Sequence, residues 1–341
     1  MNHRGLSFAF AAGVVAAGTW ASPAAADAVS DFYKGRTVTI MVPSGLGASL
    51  GLYGRLLSKH IKNHIPGKPT IIVTSRPGGG GTKGAAFAYN AAPKDGTFIA
   101  EVLAPSVLAP ALRNVKFDAT KFQWLGSITP RPATVTVWHT SPATTLAQAK
   151  KVTIKMGSTG LGSETYMVPT MMNHFLGTKF KVIKGYKGGG AINKALEQGE
   201  VQGRMNYYSG WTSVKSHWIK NKKIIHLVQY GPLIKDIPNV PRLMDLMPTK
   251  EAKVMLRFIE VSENLGMGFW VAPEVPKARF KALRKAFAAT MRDPAFLADA
   301  KKRRAPVDPV SGAKLQKIVA KGLNVPAPLV EKLRKILGFK K

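Results

Sequence analysis

The chain has no cysteine in 341 residues. That excludes disulfides, thiolate catalysis and cysteine-ligated zinc or iron–sulfur centres; a chain of this length can hold two domains together by their apolar cores alone. Acidic residues are scarce, 18 Asp and Glu against 50 Lys and Arg, for a formal charge of +32. The excess is spread out, with 12 basic against 5 acidic residues over 27–130, 19 against 7 over 131–260 and 18 against 6 over 261–341. No segment is a basic tail, and Lys301-Lys302-Arg303-Arg304 reads as a solvated helix end. Such a field suits small anions, an anionic membrane surface or polyanions. Nucleic acid is not an expected partner, because no binding module and no interleaved stacking aromatics accompany the charge.

Long apolar runs are missing too, apart from the start. Arg4, the apolar stretch Leu6 to Ala17 and the small residues Ala24-Ala25-Ala26 read as a secretory leader over 1–26, cleaved near Ala26. Its core falls short of the roughly 20 residues that a spanning helix needs.

Catalytic patterns are equally absent. The seven histidines are scattered; His60 and His64 stand four apart without a metalloprotease glutamate and read as surface positions on an amphipathic helix. Ser158 and Ser163 lack the G-x-S-x-G elbow of a hydrolase, and no phosphate loop ending in Gly-Lys-Ser/Thr occurs. No catalytic residue, metal ligand or cofactor is expected.

What the chain does contain is a recurring strand, small-residue turn and helix. In the most informative copy, Ile71, Ile72 and Val73 predict a buried strand, Gly78 to Gly81 a tight turn, and Thr82 a cap for a helix that ends at Pro93, Asp95 and Gly96. An earlier copy joins a strand over Val38 to Val42 to the turn Pro43 to Ser49 and a helix over 50–65. The second half repeats the pattern twice, at Ser158 to Ser163 before a helix over Glu164 to Leu176, and at Gly185 to Gly190 before a helix over 191–198. Alternating strands and helices predict an α/β fold with mainly parallel sheets. Turns at the carboxyl ends of strands in two similar halves predict a ligand between them. N–H groups and helix N-termini converging there favour an anion. From Pro276 onward the spacing is helical, and these elements are expected to return to the first half.

The stretch from His64 to Thr97, HIPGKPTIIVTSRPGGGGTKGAAFAYNAAPKDGT, resembles the extracytoplasmic solute-binding proteins of tripartite tricarboxylate transporters, the Bug family, with their N-x-P-G-A-G-G turn and A-P-K/P-D-G motif. The likeness continues through Met41 to Leu57, Gly185 to Gln202, Pro238 to Pro241, Phe269 to Pro276 and Arg284 to Pro294, spanning about 31–320 in order. It implies a two-lobed, periplasmic-binding-protein-like (type II) α/β fold with the ligand in the inter-domain cleft. Domain 1 would comprise 30–134 plus about 264–341, and domain 2 would comprise 135–263.

It also implies a monomeric periplasmic receptor that closes on a small carboxylate and passes it to the membrane permease subunits of such a transporter. Carried over, the ligand-binding positions are Ser44, Gly45, Gly47, Ala48 and Ser49; Arg76, Gly78, Gly79, Gly80, Gly81 and Thr82; and Ser158, Thr159, Gly160, Ser163 and Thr165, with Tyr186, Asn206 and Tyr207 from facing strand ends. For Gly188 to Gly190 a ligand role and a simple helix entry are equally good readings. The chain departs from the family pattern at Gly51 and Gln202, where aspartates are usual, and at Ser75-Arg76 in place of Asn-x. Two lost carboxylates and a gained Arg76 predict a cation-rich cleft. A rival reading keeps the fold but uses its basic surface to bind polyanions or the cell envelope.

Overall fold

The computed structural model describes residues 23–47 and 49–339. Residues 1–22 of the expected 1–26 leader, and Ala48, lie outside the described residues. The described chain opens in the Pro23–Tyr33 helix.

Eleven strands form two sheets among the described residues: β1 (Thr37–Val42), β2 (Thr70–Ser75), β3 (Phe98–Glu101), β4 (Gln123–Ser127), β5 (Ala133–Trp138), β6 (Ile154–Gly157), β7 (Phe180–Ile183), β8 (Gly203–Tyr207), β9 (Ile224–Tyr230), β10 (Gly268–Val271) and β11 (Val310–Ser311). The first sheet has the order β11-β4-β10-β3-β1-β2 and the second β7-β6-β8-β5-β9. Both are mixed, which corrects the expectation of mainly parallel sheets. β1 runs parallel to β2 and β3, but β10 lies antiparallel between β3 and β4. In the second sheet β6 is parallel to β7 and β8, while β5 is antiparallel to both β8 and β9. Among the reversed members, β5 and β10 are the strands that the chain makes on crossing from one sheet to the other and on coming back, and the short β11 lies antiparallel to β4 at the edge.

Those two crossings are tied together. The Ile128 N–H donates to the Met267 carbonyl and the Met267 N–H to that of Thr129, each at 3.0 Å, and the Arg131 N–H donates to the Glu263 carbonyl at 2.8 Å. Gly266 permits this pairing: at φ 49° a Cβ there would lie 2.0 Å from the Thr129 oxygen. The pair of crossings is thus a narrow hydrogen-bonded hinge.

One apolar core lies between the first sheet and the Ser49–Ile61, Lys277–Thr290 and Pro294–Lys302 helices, with Ile40, Leu57, Phe269, Phe287 and Phe296 at its centre. A larger core runs from the opposite face of that sheet, where Phe122 stacks on Trp270 at 3.6 Å, into the second sheet at Val135, Met156 and Met205. The helices Lys250–Leu265, Gly312–Leu323 and Ala327–Leu337 close it. The last of these contacts Ala109–Leu112 on one side and Glu164–Leu176 on the other, so it touches elements of both sheets.

Three local expectations are corrected. β2 is an edge strand, not a buried one, and Ile72 is 45% exposed. Thr82 is not the cap: Gly81, left-handed at φ 89°, precedes the Thr82–Asn90 helix, and the Thr82 hydroxyl donates back to the Gly79 carbonyl at 2.8 Å. His60 is buried rather than on the surface, because the Pro294–Lys302 helix covers it, with Nε2 3.1 Å from Asp299 and its ring edge-on to Phe296. His64 Nε2 pairs with Asp293 at 2.8 Å. The run 301–304 is exposed, as a solvated helix end should be. Among the described residues no helix is long and apolar enough to cross a membrane.

Candidate functional site

The Pro43 to Ser49 turn follows β1, Arg76 to Gly81 follows β2, and Ser158 to Ser163 follows β6, each before a helix. The Ser75 hydroxyl donates to the Ser44 carbonyl at 2.7 Å, joining the first turn to the second. Arg55 steadies the first by donating to the Leu46 carbonyl at 2.7 Å. The second and third turns, from different sheets, meet at Arg113. Its Nη2 donates to the Gly79 carbonyl at 2.9 Å and lies 3.9 Å from where a Cβ would stand on Gly80 or Gly162. Sequence reasoning did not single out Arg113.

The glycine run is required by its backbone. Gly78, Gly79, Gly80 and Gly81 have φ of 123°, 59°, 64° and 89°, four consecutive positions that side chains disfavour. The serine turn is built otherwise. Thr165 Oγ1 accepts from the Thr159 N–H at 3.1 Å and sits 3.1 Å from Ser158 Oγ and 2.6 Å from Ser163 Oγ. Ser158 Oγ accepts from the Gly160 N–H, and Ser163 Oγ contacts the Gly160 carbonyl at 2.8 Å. These hydroxyls hold their own turn, which the residue types alone could not reveal.

Other expected positions are scattered. Arg76 is exposed and stacks on Phe87, 3.8 Å from the ring centre, along the helix rather than over the glycines. The Tyr186 hydroxyl is bonded to Glu200 behind the Gly189–Glu197 helix, which with burial pushes it up to about 12. Gly189 has a structural reason of its own: the Arg204 guanidinium lies 3.2 Å from where a Cβ would sit and donates to the Gly189 carbonyl at 2.7 Å. The two positions that lack the family's aspartates each have a local structural role. At Gly51 a Cβ would come within 2.0 Å of the Leu46 oxygen. Gln202 precedes β8, at the far end from Tyr207, and its Oε1 accepts from the Lys155 N–H at 2.7 Å.

Beside the hinge lies a cavity of about 690 Å³ between the sheets. Gly47 and Ser49 of the first turn reach it, as do Asn206 and Tyr207 at the end of β8; the glycine and serine turns are not in its wall. Its most informative group is Arg131, between Pro130 and Pro132 in the hinge, whose guanidinium stacks 3.5 Å above the Tyr207 ring. The Tyr207 hydroxyl donates to Glu164 Oε2 at 3.2 Å, which links the cavity wall to the first residue of the helix after the serine turn. Glu101 is 1% exposed and neither of its oxygens has a partner. Burial raises its carboxyl well above the ordinary range, opposed only by the charge of Arg131. Glu164 and Glu263 are likewise raised, first by burial. An arginine between two prolines where the chain changes sheets was a visible signal for Arg131; nothing local marked Glu101.

A second concavity of about 410 Å³, between the Lys250–Leu265 and Gly312–Leu323 helices, shares no residue with the turns. Among the described residues no group of three or more His, Asp or Glu is placed to hold a metal.

The fold recurs in solved proteins. A solute-binding protein from Polaromonas, solved without ligand, aligns at a TM-score of 0.66 and 20% identity over 88% of this chain and 99% of that one. The periplasmic binding protein BugD aligns at 0.65 and 22%, over 91% and 100%. An R. palustris protein solved with adipate aligns at 0.64 and 19%, over 89% and 97%. No curated protein matches by sequence. The family model described as tripartite tricarboxylate transporter family receptor matches residues 55–334. That span is most of the chain, and the chain belongs to the tripartite tricarboxylate transporter family receptors, which are solute receptors rather than enzymes.

Proposed function

We propose that this receptor works in the periplasm, capturing a small organic carboxylate between its lobes and delivering it to the permease of a tripartite tricarboxylate-type transporter. The observation that carries the reading is that three turns at strand ends of two sheets come together: Ser75 bonds the second to the first, and Arg113, bonded to Gly79 of the second, lies beside Gly162 of the third. Their N–H groups and the positive ends of the helices behind them favour an anion. The lobes, about 30–134 with 264–341 and 135–263, turn about the paired segments at Thr129 and Met267. The adipate held by the R. palustris relative supports a carboxylate, and the leader-like start of the chain supports export.

A thermal-shift series of mono-, di- and tricarboxylates tests this, since a ligand that binds only the folded state raises its melting temperature. A rise with at least one acid is expected. Silence across aliphatic and aromatic acids alike would overturn the reading.

A further inference from the structure

The cavity beside the hinge is larger and greasier than a compact acid requires. Its volume of about 690 Å³ falls within the roughly 300–1,000 Å³ typical of pockets for drug-sized molecules. The first sheet's side contributes Leu52, Tyr53 and Met267, and the second Tyr207, Val214 and Leu233. Val214 is 69% exposed and Leu233 56%, the two most exposed of the large apolar side chains, and both face this one concavity. Single exposed apolar residues are ordinary, but two on one wall opposite Leu52 and Tyr53 form a surface that a ligand's apolar part would cover.

Charge enters the cavity at defined points. Arg131 lines it with its Nε buried and unpartnered. At the rim, Arg303 is committed to Asp299 at 2.7 Å, and Arg304 holds the left-handed position at φ 53° that ends its helix. Asp236 and Asp308 also line the cavity, and Asp236 is bonded by the Tyr208 hydroxyl. The wall is therefore of mixed sign, and its one inner cation is Arg131.

We propose that this cavity, which the first turn reaches at Gly47 and Ser49, receives the apolar body of a ligand whose carboxylate is held at the turns, and that Arg131 pairs with a second carboxylate where the ligand has one, so that the receptor prefers carboxylates with an alkyl or aryl body to compact hydroxy acids. The inference rests on the carboxylate reading above and narrows it. Arg131 suits the role because a guanidinium stacked flat on an aromatic ring keeps its edge free for a carboxylate. Tyr207 beneath it and Tyr53 across from it offer apolar faces to the body.

Isothermal titration of the full mature chain with octanedioate and 4-phenylbutyrate, against citrate and malate, tests the preference. The first pair is expected to bind at least about tenfold more tightly, in line with burial of apolar surface against Val214 and Leu233. Val214→Asp and Leu233→Asp should pull that ratio towards one; both side chains are exposed, so the variants keep their fold. Arg131→Gln should weaken octanedioate at least about tenfold more than 4-phenylbutyrate, which has no second carboxylate, and Arg131→Lys should restore part of the loss. Equal or tighter binding of citrate and malate would overturn the preference while leaving a carboxylate receptor intact. Ratios unmoved by both aspartate variants would overturn it too. Silence with all four acids would remove the carboxylate reading as well.

Discussion

The glycine turn after β2 and the serine turn after β6 reach the same Arg113, yet each gets its shape in a different way. The first relies on four left-handed residues in succession and closes on backbone bonds from the Gly81 N–H to the Gly78 carbonyl at 3.0 Å and from the Thr82 N–H to the Gly79 carbonyl. The second uses ordinary backbone for most of its length and is braced by three hydroxyls converging on Thr165. One turn is shaped by what its residues lack, a Cβ, and the other by what they carry. Substitutions should therefore damage them differently.

The largest effect is expected at Gly81. A methyl there meets Leu103 Cβ at 2.6 Å and must also hold φ at 89°. Left-handed strain and overpacking together cost about 2–4 kcal/mol. Urea titration of Gly81→Ala should show that loss, and its ligand-induced thermal shift should vanish. Gly80→Ala keeps only the strain, since the nearest atom is Arg113 Nη2 at 3.9 Å, and should lose about 1–2 kcal/mol. Equal losses in the two variants would show that packing against Leu103 contributes nothing.

Thr165→Val attacks the serine turn at its shared oxygen. It keeps the shape, leaves the Thr159 N–H without its acceptor and removes the contact shared by three hydroxyls, for a loss of about 1–3 kcal/mol. Thr165→Ser should recover most of it, because only the oxygen matters. If the valine variant unfolds at the same urea concentration as the parent, the brace is not what shapes this turn.

The two turns should also answer differently to pH. Glu164 opens the helix behind the serine turn, buried at 4% exposure, and burial raises its carboxyl above the ordinary value. The glycine turn contains no such acid. A carboxyl whose folded pKa exceeds its unfolded one favours folding below the unfolded value, and that contribution is lost as pH rises through the folded one. Glu164→Gln removes the dependence while leaving an oxygen for the Tyr207 hydroxyl. Its melting temperature relative to the parent should therefore rise between pH 5 and pH 8, by about 2–4 °C. A difference that stays constant with pH would mean that Glu164 is charged in the fold throughout.

Strand, turn and helix units were legible because they are local; the Glu164–Leu176 helix falls where its spacing puts it. Strand order was not, since β10 and β5 take their reversed places through crossings that leave no periodic trace. The Lys250–Leu265 helix was not anticipated, although Ala252, Met255, Leu256 and Ile259 keep the three-to-four spacing of a buried face; what its sequence does not carry is its partners, Ala104–Leu108, Gly312–Leu323 and Ala327–Leu337. At the site, residue types pointed to the turns but not to the direction of their hydroxyls. Arg131 gains its place only when Tyr207, 76 residues later, folds beneath it.

Arg76 should show the smallest effect, and it separates the glycine backbone from the charge next to it. In the sequence Arg76 stands beside the turn, where a cation would strengthen any anion site. In the fold its guanidinium lies on Phe87 in the second turn of the helix, exposed to water, and its backbone N–H holds the Val42 carbonyl at 2.9 Å. Arg76→Ala keeps that backbone bond and loses only the stacking, worth about 0.5–1 kcal/mol at an exposed site. Carboxylate affinity at physiological ionic strength should stay within about twofold, because a solvated charge is screened over about 8 Å. A tenfold loss would mean that the side chain leaves Phe87 when ligand binds. The glycine turn would then hold its anion by a charge as well as by N–H groups, and would differ from the serine turn in chemistry as well as in construction.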